Sequence, residues 1–227
     1  MTLFALFNIG WRRWRTHGLM LICTVIACVI IHFYSPFADL NYMLTLGCGY
    51  ISLILIVVSL LIGPFKLFQQ RRNPVNLNFR RDVGIWAGLT GCIHVICVLI
   101  IRVRGSIIYL FLKPKPRGVG YDLLTTPQGI SNNIGLVATL ILIMLLALSN
   151  DYTLKYFKGK RWKLLQRFNY GLVVLAFIHT ILYHRLGSRE QVFVLITLAL
   201  GVAGLAFQSI GFVLMRNRRA KTLSQLQ

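Results

Sequence analysis

RRDVGIWAGLTGCIHVICVLIIRV, residues Arg80–Val103, is the stretch of sequence that decides the fold. Two arginines precede a mainly apolar run, and an arginine returns near its far end. A transmembrane helix needs about 20 apolar residues, and this run has that length, with basic residues where it would leave the bilayer. Its histidine, His94, is an ionisable group at membrane depth and is therefore a candidate for function.

The rest of the chain follows the same pattern. Hydrophobic residues make up 56% of its 227 residues and the mean hydropathy is +0.69, which is more apolar surface than a soluble domain of this length can bury. We predict an all-α integral membrane bundle of about six transmembrane helices. The predicted spans are Gly18–Tyr34, Tyr42–Ile62, Asp82–Val103, Asn133–Ser149, Leu165–Tyr183 and Gln191–Met215.

The net charge of +20 indicates the orientation of the bundle rather than a nucleic-acid partner. Most Lys and Arg residues flank the apolar runs on the side of the N-terminus, where the positive-inside rule and anionic lipid favour them. We therefore predict that both termini are cytoplasmic, in a multi-pass protein of the cell inner membrane. The long connection after the third span, Arg104 to Ser131, is then an outer loop, whose apolar part, Ile107–Leu112, dips toward the headgroups, packs over the bundle or docks a partner.

The acidic and cysteine residues disfavour several function classes. Only five residues are Asp or Glu, and this small number disfavours a hydrolase that uses paired carboxylates. The five cysteines all lie in apolar runs and include no Cys-x-x-Cys, which disfavours covalent c-type heme and a zinc ribbon. We interpret the cysteines as buried packing residues.

Two histidines are expected to reach the same depth in the bilayer. His94 lies 12 residues after Asp82 and His179 lies 14 residues after Leu165, which at 1.5 Å per residue gives ~18 Å and ~21 Å from the inner boundary. Two histidines from parallel helices at one level can bind a single b-type heme from opposite faces. A pair of packing or hydrogen-bonding histidines is the alternative. The other three, His17, His32 and His184, lie near span ends and are interpreted as interfacial residues.

Small residues accompany both histidines. Gly91 and Ala176 each precede a histidine by three positions, so they lie on the same helical face and leave room for a porphyrin. On the third span the stripe continues inward as Ala87 and Gly84. Small residues also serve helix packing in membranes, and the stripe alone favours that interpretation.

Two segments carry a resemblance to a known family. RRDVGIWAGLTGCIHVICV (Arg80–Val98) and SNDYTLKYFKGKRWKLLQRFNYGLVVLAFIHTILYHRLG (Ser149–Gly187) resemble the ferric reductase-like transmembrane domain. This group includes a heme-binding membrane subunit of the bacterial methionine-sulfoxide reductase system and is related to the membrane core of NADPH oxidases. The resemblance implies that His94 and His179 are axial ligands of heme b. The composition and length predict one transmembrane domain over residues 1–227, and the resemblance places its heme-bearing core at about 80–187.

The chain departs from that family pattern at two positions. Relatives often carry a further histidine about 13 residues before the second ligand, and two-heme relatives carry one about 14 residues before the first. Here those positions are Gln166 and Arg80, so we predict a single heme. No Gly-x-Gly-x-x-Gly occurs in a strand–turn–helix context, so we expect no flavin or nicotinamide domain of the chain's own.

A single heme near the outer side leaves a gap of ~18 Å to the cytoplasm, by the helical rise used above. We predict that a flavin (FMN) or a quinone fills the groove beneath the heme, with Arg80 and Arg81 binding a phosphate group. Ordinary positive-inside arginines are an equally good interpretation of that pair. The predicted function is that of an oxidoreductase component with a cytosolic or membrane electron donor and a metal ion or periplasmic reductase as acceptor. The alternative is a cofactor-free small transporter or scaffold.

Overall fold

The computed structural model describes residues 11–34, 39–68, 77–103, 107–115, 119–184 and 191–224. Between the helices Leu77–Val103 and Pro127–Ala147 lie a 3-10 turn, Ile107–Leu110, and two short antiparallel strands, β1 (Leu112–Pro114) and β2 (Tyr121–Leu123). The helices of this part of the chain are α1 (Trp11–Tyr34), α2 (Leu40–Phe68), α3 (Leu77–Val103), α4 (Pro127–Ala147), α5 (Asp151–Tyr156), α6 (Lys158–Leu165), α7 (Phe168–His184) and α8 (Gln191–Ser224).

Six helical segments in the described ranges are long and apolar enough to cross a membrane. They correspond to the six predicted spans, with α6 and α7 together forming the fifth, Lys158–His184. The predicted all-α membrane bundle is confirmed, and the chain is a multi-pass membrane protein. The cytoplasmic position of its termini stays a prediction.

Several helix ends differ from the predicted span ends, and two of these differences have a local cause. Helix α4 begins at Pro127 instead of Asn133, because the Thr126 hydroxyl accepts a hydrogen bond from Gly129 N at 3.3 Å and proline suits the first helical position. Helix α2 continues through Pro64 to Phe68. Proline removes the donor for the Leu60 carbonyl, and the Gln208 side chain of α8 donates to that carbonyl at 3.0 Å instead.

Four helices form the centre of the bundle. Helix α2 packs most extensively against α3, and α4 against α7, while α3 also contacts α4 and α2 contacts α7. Their shared core includes Leu55, Val83, Leu142 and Leu172. Helix α1 lies against α2 and α3, and α8 lies against α2 and α7. This arrangement brings the histidine-bearing helices α3 and α7 to the two sides of one interior space.

A buried ion pair attaches α1 to α3. Asp82 is 1% exposed and accepts hydrogen bonds from Arg13, the shortest at 2.6 Å. One turn along, Trp86 Nε1 donates to His17 Nδ1 at 2.8 Å. We call the end of the bundle that carries Arg13, Arg80 and Lys160 the basic end, since it holds the first turns of α1 and α3 together with α6.

The long connection lies at the opposite end and packs over the bundle. Its strands pair in the register Leu112↔Leu123, and the Leu110 carbonyl accepts a hydrogen bond from Asn132 of α4 at 2.8 Å. The apolar side chains of Leu110 and Phe111 reach the interior space between the central helices. Of the three predicted roles for this loop, the packing one matches the observed contacts. Residues 104–106 and 116–118 of the loop lie outside the described residues.

Candidate functional site

The imidazoles of His94 and His179 face each other across the bundle. Their ring centroids are 6.3 Å apart and their planes are nearly perpendicular, at 82°. A metal–imidazole bond is about 2 Å long, so two rings bound to opposite sides of one metal ion have centroids roughly 6 Å apart. The helical-rise argument that set both residues at one depth therefore agrees with their observed separation.

Each imidazole is held by a backbone carbonyl of a neighbouring helix. His94 Nδ1 donates to the Thr45 carbonyl of α2 at 2.7 Å, and His179 Nδ1 donates to the Ser131 carbonyl of α4 at 2.8 Å. A carbonyl oxygen can only accept, so both Nδ1 atoms carry the proton and both Nε2 atoms keep a lone pair. Metal-bound histidines in proteins generally donate their other ring N–H to a carbonyl or carboxylate in this way.

Two glycines allow the rings to lie against those helices. Gly49 follows Thr45 by four residues and Gly135 follows Ser131 by four residues. A Cβ atom on either glycine would come within 2.8 Å of Nδ1 of the adjacent histidine. Each imidazole thus lies against one copy of the motif Ser/Thr-x-x-x-Gly, Thr45/Gly49 on α2 or Ser131/Gly135 on α4, and each copy supplies one carbonyl and one gap. The sequence analysis did not identify either copy.

A cavity of about 280 Å³ surrounds the two rings. Its walls are mainly apolar and include Gly91 and Ala176, the small residues predicted to flank the ligands. Polar groups are few, as in most cofactor sites. The cavity, its two lone-pair-bearing imidazoles and the small residues beside them fit a flat macrocycle with one central metal.

His184 also lines this cavity, contrary to its expected interfacial position. It is 3% exposed and its ring stacks on Tyr50 and Phe193. The Tyr50 hydroxyl lies 2.8 Å from His184 Nε2. The stacking and the hydrogen bond fix His184 at the rim of the cavity. By contrast, His17 is bonded to Trp86, and His32 is exposed on α1.

The two predicted arginines, Arg80 and Arg81, do not line the cavity that holds the imidazoles. Arg80, Arg81 and Gly84 line a second cavity of about 40 Å³, nearer the basic end. Ile56, Leu142 and Leu172 line both cavities and separate them. The residues predicted to bind cofactors therefore divide as the two predicted sites do, with His94, His179, Gly91 and Ala176 in the larger cavity and Arg80 and Arg81 in the smaller.

A family model for the ferric reductase like transmembrane component matches residues 48–177, more than half of the chain. The chain belongs to this family. The match includes His94 and ends two residues before His179, and it covers α3 and α4, most of α2 and the first ten residues of α7. These helices surround both cavities.

Individual relatives agree with this membership. The chain is 28% identical over 131 residues to the protein-methionine-sulfoxide reductase heme-binding subunit MsrQ of Yersinia pseudotuberculosis serotype O:1b (strain IP 31758), covering 58% of each protein. It is also 28% identical over 131 residues to MsrQ of Yersinia pestis (strain Pestoides F), covering 58% of this chain and 57% of that one. The aligned part is thus somewhat over half of each relative's length.

Proposed function

We propose that this chain is a membrane electron carrier that binds one heme b between His94 and His179. The observation that carries the proposal is the geometry of the two imidazoles, 6.3 Å apart with both Nδ1 protons donated to backbone carbonyls. A bound heme would supply one-electron redox chemistry, and the protein would supply its position and tuning.

A heme accounts for the ligand set better than a bare metal ion does. Among the described residues there is no group of three or more His, Cys, Asp or Glu side chains placed to hold a metal. Two imidazoles alone would leave most coordination positions of an iron ion unfilled, whereas a porphyrin supplies four of its own. The apolar cavity of about 280 Å³ also suits a large hydrophobic ligand.

The surrounding residues then have distinct roles. The Thr45 and Ser131 carbonyls fix the tautomer and direction of the two imidazoles and make them better ligands. Gly49 and Gly135 allow the rings to pack against the neighbouring helices. Gly91 and Ala176 line the cavity, and Gly91 also lets the side chains of Leu142 and Ser52 pack closely against α3. We propose one transmembrane domain over residues 1–227, with this core at about 80–187.

The name of the relatives supports a redox partner for this chain. The relatives are named as the heme-binding subunit of a methionine-sulfoxide reductase, which supports a subunit that hands electrons to a partner protein or metal ion. We propose an electron donor at the basic end, a periplasmic acceptor at the opposite end, and the inner membrane as the location. A flavin or quinone relay near Arg80 and Arg81 stays a prediction. The volume of the cavity there disfavours it, since about 40 Å³ has room for only a fragment of such a ring system.

Spectra and vectorial electron transfer test the proposal. The purified chain should have a b-type absorption spectrum that changes on addition of dithionite, with about one heme per chain. Liposomes containing the chain and trapped ferricyanide should bleach when dithionite is added outside, and liposomes without the chain should not. A colourless protein would contradict the proposal and favour the cofactor-free transporter or scaffold. A coloured protein that carries no electrons would contradict the transfer function alone.

A further inference from the structure

The smaller cavity has chemistry that the heme proposal does not use. It lies at the basic end beneath Ile56, Leu142 and Leu172 and has a volume of about 40 Å³. Its polar wall includes Arg80 from α3, Trp162 from α6, and Gln166 and Asn169 around the start of α7. This volume is enough for a small ion or a few water molecules, and far less than a macrocycle needs.

One amide in this cavity lacks a hydrogen-bond partner. Among the described residues, Gln166 Nε2 is the one buried polar side-chain atom that has no hydrogen-bond partner. Its neighbours are already satisfied: Asn169 Nδ2 donates to Ser59 at 2.8 Å and Trp162 Nε1 donates to the Leu148 carbonyl at 3.0 Å. An unpaired buried donor is destabilising, because it has lost its hydrogen bonds to water. The Gln166 amide therefore requires an acceptor that the described residues do not provide.

The charge in this cavity is also unbalanced. Arg80 is half-buried, and no carboxylate in the described residues forms an ion pair with it. Asp82, two residues along the chain, is committed to Arg13 at 2.6 Å. Buried charges are normally paired, so Arg80 and Gln166 together present two donors and lack an anion.

We propose that this cavity binds a chloride-sized anion, with the Arg80 guanidinium supplying the charge and Gln166 Nε2 a hydrogen bond. The anion neutralises Arg80 and satisfies the orphan amide, and it fits a volume of about 40 Å³. The site is separated from the imidazoles by apolar side chains. It therefore stands whether or not the heme proposal holds.

Thermal unfolding of the full chain in detergent tests this site. Chloride would replace gluconate at constant ionic strength, which keeps general charge screening constant. A ligand that binds only the folded state raises the midpoint in a saturable way, by roughly 3 °C or more at ten times its dissociation constant for a chain of this size. Arg80→Gln and Gln166→Leu should lose the rise. Arg161→Gln, an exposed charge on α6 that does not line the cavity, should keep it.

A carboxylate built into the chain gives a second readout. In Gln166→Glu the side chain itself can supply the negative charge beside Arg80, so the midpoint in gluconate should rise to at least the wild-type value in chloride, and added chloride should have no further effect. Wild-type protein indifferent to chloride, or chloride responses equal in Gln166→Leu, Gln166→Glu and Arg161→Gln, would overturn the proposal. Stabilisation by inorganic phosphate or by phosphatidylglycerol with none by chloride would overturn the assignment to a halide.

Discussion

The two cavities use the same four central helices for different chemistry. The larger has two imidazoles with free Nε2 lone pairs, whereas the smaller has an arginine and an amide that are both donors. The corresponding positions lie 14 residues apart at His94 and Arg80 of α3, and 13 residues apart at His179 of α7 and Gln166 just before it. Under both proposals, the side chains at two positions per level select the ligand, while the helix packing stays the same.

Removing either imidazole should have the largest effect, because it takes away the ligand chemistry that distinguishes the larger cavity from the smaller one. His94→Ala and His179→Ala each delete one of the two lone pairs in the larger cavity, and we expect heme content to fall from about one per chain to near zero. Absorbance of purified protein, normalised to chain concentration, measures this. His32→Ala on the exposed face of α1 is the matched control and should keep full heme content. Normal spectra in both single variants would mean that the ligands are other residues.

Filling the gaps beside the rings should have the next largest effect. Valine at Gly49 or Gly135 would place methyl groups where even a Cβ comes within 2.8 Å of an imidazole nitrogen. We expect each ring to be displaced and heme affinity to fall roughly ten- to hundredfold, the range for losing the groups that orient a metal ligand. Heme titration of the apoprotein measures the affinity.

Gly171→Val is the matched control, because Gly171 is exposed on α7 and a Cβ added there would meet no atom within 4 Å. This variant should bind heme like the wild type. Equal losses at Gly49, Gly135 and Gly171 would indicate a general cost of valine in these helices, and would remove the special role of the Ser/Thr-x-x-x-Gly repeat.

Thr45 and Ser131, which hold the two imidazoles, differ in what their hydroxyl groups contact. This difference predicts a smaller effect, on the midpoint potential of the heme. Besides its carbonyl, Ser131 has its Oγ 3.1 Å from His179 Nδ1, whereas the Thr45 hydroxyl donates to Asn41 O instead. An acceptor on Nδ1–H makes the ring a stronger donor to ferric iron. In Ser131→Ala the midpoint potential should therefore rise by about 20–60 mV, the equivalent of one hydrogen bond.

Potentiometric titration with the dithionite spectrum as readout measures this shift. Thr45→Val is the control, since its lost hydroxyl is not bonded to His94, and its potential should stay within error of the wild type. A potential that falls in Ser131→Ala, or moves equally in both variants, would contradict the assigned role of the Ser131 hydroxyl.

The sequence was sufficient for the features that depend on side-chain type and helical spacing. Six apolar runs indicated the spans, and counting residues along α3 and α7 brought His94 and His179 to one level. It was insufficient for features made by backbone atoms, such as the Thr45 and Ser131 carbonyls, because every residue has a carbonyl and only tertiary packing selects one. The burial of His184 was missed for a similar reason, since its partner Tyr50 is 134 residues away.

The smallest effect on heme content is expected when histidines replace the ligand residues of the smaller cavity. The variant Gln166→His gives the smaller cavity one histidine. The double variant Arg80→His/Gln166→His gives it two, as in the larger cavity. We expect heme content to stay at about one per chain, because about 40 Å³ beneath Leu142 and Leu172 cannot admit a macrocycle that fits a cavity of about 280 Å³. Close-packed interiors resist the expansion that a second heme would require. Pyridine hemochrome assay against chain concentration gives the ratio, and a value near two in the double variant would show that the ligand positions alone, rather than the packing around them, decide how many hemes the bundle holds.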